Sequence, residues 1–155
     1  MLAVFDVDGV VADVRHRLHH LTGRRRSWDR FFDDADQDSL LDEGARLVAD
    51  LGREHEIVWL TGRPEWLRDV TEEWMQRHGL PVGELHMRPF HDYRPAPAYK
   101  LAVLRALAPR GVAAVIDDDD EVIAAASSAG FPAVLADWVP RGQALREAQD
   151  RDGRT

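Results

Sequence analysis

The 155-residue sequence has no cysteine, which excludes a disulfide framework, a thiolate metal site and a cysteine nucleophile. No apolar run approaches membrane-spanning length. The N-terminal apolar run has neither a basic flank nor a cleavage site, so a cytoplasmic location without membrane attachment is expected. There is no internal repeat, no low-complexity tract and no glycine-rich nucleotide loop. Basic residues are outnumbered: the formal charge is −8, which argues against non-specific binding of long nucleic acid. The length suits one domain with a sizeable core.

What is present is organised around Leu2-Ala3-Val4-Phe5-Asp6-Val7-Asp8-Gly9-Val10-Val11. Its apolar first half reads as a buried central strand of a parallel sheet. Asp6 and Asp8 cost too much to bury unpaired, so they belong at the strand's open end, and Gly9 permits the turn that brings the second carboxylate back towards the first. Two acids converging at the C-terminal edge of such a sheet make a cation site, where these sheets also bind ligands. Four more apolar runs, at 57–60, 85–87, 112–116 and 133–136, read as strands separated by helical segments. The alternation predicts an α/β, doubly wound parallel sheet over residues 1–140, with a small helical cap inserted over about 13–43 and a polar tail over 141–155.

The chemistry-bearing groups fall at strand ends. Thr61-Gly62-Arg63-Pro64 follows the second strand; Pro64 suits the first turn of a helix, and a hydroxyl beside free N–H groups at a helix start is an anion site. Lys100 is expected in the first turn of a helix over 99–107, where the helix dipole disfavours a cation, and this placement hints at an anionic neighbour. The fourth strand runs into Asp117-Asp118-Asp119-Asp120-Glu121. Asp120 and Glu121 can serve the next helix N-terminus, whereas Asp117 and Asp118 need a divalent cation to offset their repulsion. Residues 15–30 carry Arg15, Arg17, Arg24, Arg25, Arg26 and Arg30 with His16, His19 and His20. This basic face is either solvated or turned to substrate; beside an acidic pocket it suits a phosphorylated substrate held by a cation.

In this order, Asp6-Val7-Asp8-Gly9-Val10, Thr61, Lys100 and Asp117-Asp118 resemble the four motifs of the haloacid dehalogenase (HAD) superfamily in its phosphatase branch. More particular stretches are similar to the 3′-phosphatase domain of phage-type polynucleotide kinase-phosphatases: 15–21, Trp28-Asp29-Arg30-Phe31-Phe32, Leu60-Thr61-Gly62-Arg63, Thr71-Glu72-Glu73-Trp74, and Met87-Arg88-Pro89 with Asp92-Tyr93-Arg94-Pro95. Two places depart from that subfamily. Ala96 and Pro97 stand where an acid usually precedes the lysine, and Asp119 stands where an arginine tends to follow the acid pair. The kinase half, with its phosphate-binding loop, is absent from the sequence.

The resemblance implies a magnesium-dependent phosphomonoesterase that removes 3′-phosphate from nucleic-acid ends, a role in nucleic acid repair. Asp6 would be the nucleophile that forms an aspartyl-phosphate, and Asp8 the acid and then the base. Thr61, Gly62 and Lys100 would supply donors, while Arg17 and Arg63 engage the phosphate or its nucleotide. Magnesium would sit between Asp6, the main-chain carbonyl of Asp8 and Asp118, with Asp117 near it. The partner is then a phosphorylated small molecule or a nucleic-acid 3′ end. A 5′(3′)-nucleotidase acting on free nucleotides is the nearest alternative. A non-catalytic phosphoacceptor receiver places its acceptor after strand 3 and has no room for the basic excursion. A binding module is suggested only by Ala96.

Overall fold

The computed structural model describes residues 1–152. Its strands are β1 (Leu2–Phe5), β2 (Ala12–Asp13), β3 (Ser39–Leu40), β4 (Glu56–Pro64), β5 (Glu84–Arg88), β6 (Val112–Asp117) and β7 (Ala133–Leu135). Its α-helices are α1 (Trp28–Asp33), α2 (Asp42–Leu51), α3 (Arg68–Arg77), α4 (Ala96–Leu107), α5 (Asp120–Ser128) and α6 (Gln143–Asp152). Five strands form one parallel sheet in the order β5-β4-β1-β6-β7.

The central place of β1 follows from its composition. Successive side chains point to opposite faces, and both faces of this strand are apolar. Ala3 and Phe5 enter one core, with Trp59, Val48, Trp74 and Leu145 beneath α2, α3 and α6. Leu2 and Val4 enter the other, with Val58, Leu60, Tyr99 and Ala126 beneath α4 and α5. Helices thus cover both faces, which makes the sheet doubly wound and brings the C-terminal ends of β1, β4 and β6 together at one edge.

Between β1 and α2 the chain leaves the sheet. β2 and β3 pair antiparallel, Ala12 with Leu40 and Asp13 with Ser39, and close the base of this excursion. It carries a 3-10 helix (Arg15–Leu21) and α1. The first of these turns Arg17 as well as Leu21 inwards. Phe31 and Phe32 of α1 are buried, and Phe32 meets the Trp66 ring edge-on at 5.9 Å. No helix among the described residues is long and apolar enough to cross a membrane.

Two local expectations change. The helix expected to begin at Pro64 does not; β4 runs on to that residue and pairs with Arg88 of β5. A 3-10 turn (Glu65–Leu67) then leads into α3. The strand can continue past its apolar run because the side chains beyond it find buried polar partners. Helix α4 begins earlier than expected, at Ala96, with Pro97 in its first turn, where no intrahelical N–H is required. Lys100 therefore lies one turn into the helix. The tail over 141–152 contains α6, which buries Leu145 and Ala148, and Asp152 accepts a 2.8 Å hydrogen bond from the Trp28 indole. The expected tail residues 153–155 lie outside the described residues.

Gly44 shows how tightly α2 sits against the excursion. A Cβ there would stand 1.9 Å from the Val10 carbonyl oxygen. Glycine to alanine inside a helix ordinarily stabilises by about 1 kcal/mol. Gly44→Ala is nevertheless expected to lower the melting temperature, because α2 must move off the Val10 backbone; a raised melting temperature would contradict this contact.

Candidate active site

The first carboxylate is held by the end of the central strand. The Asp6 N–H donates to the Ile116 carbonyl at 2.9 Å, and the Val7 N–H donates to Asp6 Oδ1 at 2.7 Å. Gly9 then turns the chain with φ +76°, and a Cβ on it would lie 2.0 Å from Asp118 Oδ2. Only glycine both adopts this backbone and leaves room for that carboxylate. Asp117 ends β6, and its Oδ1 accepts from the Asp119 N–H at 2.9 Å. Lys100 reaches across from α4, its Nζ 2.9 Å from Asp6 Oδ2 and 2.6 Å from Asp117 Oδ2.

These groups shape one another's acidity. Burial, with Asp117 and Asp8 adding to it, raises the Asp6 carboxyl to about 7 against the downward pull of Lys100. Asp118 is pushed well above the usual carboxylate range by burial and then by Asp117 and Asp6. Burial works against the Lys100 ammonium, but Asp117 and Asp6 more than compensate and hold its proton on. Asp6, Asp117 and Asp118 each offer a carboxylate oxygen, all within 4.8 Å of one another. A cluster of hard oxygen donors whose ionised forms repel one another fits a hard divalent cation such as magnesium.

Asp8 faces a different environment. Arg63 donates to its Oδ1 from Nη2 at 2.7 Å and from Nε at 3.0 Å, and Arg17 Nη2 donates at 3.1 Å. Burial pushes the Asp8 carboxyl up, but Arg63 and Arg17 outweigh it and hold the group below its ordinary value. Both guanidiniums are fully buried and share a second carboxylate, Asp38. Arg17 donates to both Asp38 oxygens at 2.8 Å, and Arg63 Nη2 donates to Oδ2 at 3.0 Å. Arg17 also lies over the Phe31 ring, 4.1 Å from its centroid.

Asp6, Asp8, Lys100, Asp117 and Asp118 line one cavity of about 20 Å³. It adjoins a cleft of about 500 Å³ that shares Ala96, Asp119, Arg141 and Gln149 with it. A candidate nucleophile, a candidate acid–base group, a buried ammonium and a metal-ready acid cluster thus meet at the C-terminal edge of the sheet. Over residues 1–136 the sequence matches the family model of the polynucleotide kinase PNKP phosphatase domain. The chain belongs to this family. It is a phosphatase of the HAD superfamily.

No curated protein sequence matches the phosphatase. Solved structures share its fold. A chain of the Pnkp1/Rnl/Hen1 complex superposes with TM-score 0.70 and 22% identity, over 87% of this chain and 45% of that one. A chain of the Pnkp1/Rnl/Hen1 RNA repair complex gives TM-score 0.66 and 22% identity, over 92% and 43%. YfnB from Bacillus subtilis, described as a HAD hydrolase and bound to magnesium, gives 0.60 and 12%, over 86% and 87%. The phosphatase spans less than half the length of the first two chains.

The expected site residues do not all reach the cavity. Thr61 and Gly62 are buried in β4, outside the cavity wall, and the Thr61 hydroxyl accepts the Arg63 N–H at 3.2 Å. Arg17 and Arg63, expected to face the phosphate, are enclosed behind Asp8 instead. The Asp8 carboxylate stands apart from the metal-ready cluster, which Asp6, Asp117 and Asp118 form. Two residues were not foreseen. Asp38 sits in an acid-rich stretch where nothing in the spacing singles it out, and Arg141 lies in the polar tail.

Proposed function

We propose that this HAD phosphatase is a magnesium-dependent polynucleotide 3′-phosphatase that works through an aspartyl-phosphate on Asp6. One observation carries the reading: two carboxylates two residues apart line the same cavity, Asp6 beside Lys100 and within the metal-ready acid cluster, Asp8 outside that cluster between two guanidiniums. Such a pair suits a division into nucleophile and acid–base group. Asp6 Oδ attacks phosphorus, the bond to the leaving oxygen breaks, and Asp8 gives that oxygen a proton. Asp8 then takes a proton from water, whose oxygen attacks phosphorus and frees Asp6 and inorganic phosphate. Arg63 and Arg17 keep Asp8 aimed and ionised in the free protein, which suits the second half. The negative charge of an arriving phosphoryl group works the other way and favours the proton needed in the first.

Magnesium, held by Asp6, Asp117 and Asp118 with the Asp8 main chain, would neutralise charge on the transferring group. Lys100 is the ammonium beside that group; Thr61 and the Gly62 N–H, the other expected donors, lie within β4 outside the cavity wall. Family membership supports a nucleic-acid end as substrate, as does the similarity to a chain of an RNA repair complex. The exposed Arg24, Arg25 and Arg26 supply charge for flanking phosphates, while the overall −8 limits contact to a short stretch of strand.

A phosphate-release panel tests this, with 3′-phosphorylated oligonucleotides, mononucleotide 3′-phosphates and sugar phosphates, each with magnesium and with chelator. Oligonucleotide 3′-phosphates should be the best substrates, and chelator should stop release. Replacing Arg24, Arg25 and Arg26 by alanine should weaken oligonucleotide turnover, flatten its salt dependence and spare mononucleotides. Equal turnover of both classes, unchanged in the triple variant, makes the protein a free-nucleotide phosphatase; release undiminished in chelator removes the metal.

A further inference from the structure

The family match stops at residue 136, but the wall of the acid cavity does not. Arg141, Leu145 and Gln149, from α6 and the segment before it, line that cavity with Asp6, Asp8 and Lys100. The Arg141 side chain is only 7% exposed. Its Nη1 lies 2.7 Å from Asp119 Oδ1, its Nη2 donates to Gln149 Oε1, and its buried Nε–H has no partner. A guanidinium carries five N–H donors in a fixed fork, so these contacts leave part of the fork unused. A buried donor without an acceptor is costly, and a site that binds an anion supplies one.

The position matters as much as the unused donor. Arg141 lines both the acid cavity and the 500 Å³ cleft beside it, so it stands where the two meet. The other cation in the cavity wall, Lys100, already faces Asp6 and Asp117. Arg17 and Arg63 are committed to Asp8 and Asp38. Among the described residues, Arg141 is therefore the cation of this wall with a donor left for an incoming dianion.

We infer that Arg141 is a substrate-binding residue, which donates to the phosphoryl oxygens of a phosphomonoester at the cavity mouth; this rests on the phosphatase reading of Asp6. Asp119 is its holder in the free protein. Asp119 also accepts the Glu121 N–H at 2.9 Å as the N-cap of α5. The C-terminal helix is then part of the active site.

The test uses the full chain, magnesium and p-nitrophenyl phosphate, a phosphomonoester with no nucleotide, with inorganic phosphate as competing ligand. Arg141→Ala should raise both KM and the phosphate inhibition constant by about ten- to a hundredfold, the scale of one charge-assisted hydrogen bond. Arg141→Lys, which keeps the charge and loses the fork, should fall between and decides the matter if the alanine variant does not fold. Asp119→Asn keeps a good N-cap and frees the guanidinium, so it should lower both constants. A purely structural clamp predicts the reverse: Asp119→Asn and Arg141→Ala lose melting temperature together, and the folded variants bind phosphate as the native protein does. That result overturns the inference and leaves the phosphatase intact. If the native protein hydrolyses no phosphomonoester at all, the phosphatase reading itself fails.

Discussion

Asp6→Asn is expected to reduce steady-state phosphate release by at least about 10⁴-fold, the scale on which loss of an enzymatic nucleophile is felt. The amide keeps the shape of the side chain and can still accept the Val7 N–H, but its oxygen no longer attacks phosphorus. The fold should survive. Lys100 retains Asp117, and removing one carboxylate relieves the crowding of Asp6, Asp117 and Asp118. The melting temperature should therefore not fall. Both quantities are measured on one preparation, freed of contaminating phosphatase. Turnover comparable with that of the native protein would sink the assignment of Asp6.

The second large effect is on stability. Asp38→Ala removes a carboxylate that Arg17 and Arg63 share, leaving two fully buried guanidiniums with Asp8 as their one remaining carboxylate beside the neutral oxygens of Phe31 and Thr71. Breaking a buried ion pair from one side costs about 3–5 kcal/mol because the remaining charge stays buried. For a chain of this length that is a fall in melting temperature on the order of 10 °C. Activity should fall too, since the groups that aim Asp8 lose their anchor. Chemical denaturation reads the first and phosphate release the second. A loss below about 1 kcal/mol, the range of exposed pairs, would contradict a buried Asp38 shared by two guanidiniums.

The sheet was legible because buried parallel strands are nearly continuous apolar runs, as in Val4-Phe5, Ile57-Val58-Trp59-Leu60 and Val115-Ile116. Asp6, Asp117 and Asp118 stood out as well, since carboxylates at the ends of such runs need a reason to be there, and Lys100 stood out because a helix start disfavours a cation. Local pattern gave no view of partners distant in the chain. Asp38 looks like any acid in a stretch that also holds Asp33, Asp34 and Asp36, and its role comes from residues 21 and 25 positions away. Arg17 and Arg63 were expected at the phosphate from the family resemblance alone; with Asp8 and Asp38 beside them they turn inwards. Pro64 suits a helix start and a strand end alike, and the pairing of Pro64 with Arg88 decided between them.

Lys100 is the only lysine in the sequence. Its ammonium is enclosed between Asp6 and Asp117. Every basic side chain on the exterior is therefore a guanidinium or an imidazole. Acetylation, activated-ester labelling and aldehyde cross-linking find no lysine on the outside of this protein. The single side-chain amine they could modify is the one beside Asp6, the proposed nucleophile, so an acyl group on it would record that the cavity had opened and is expected to stop phosphate release.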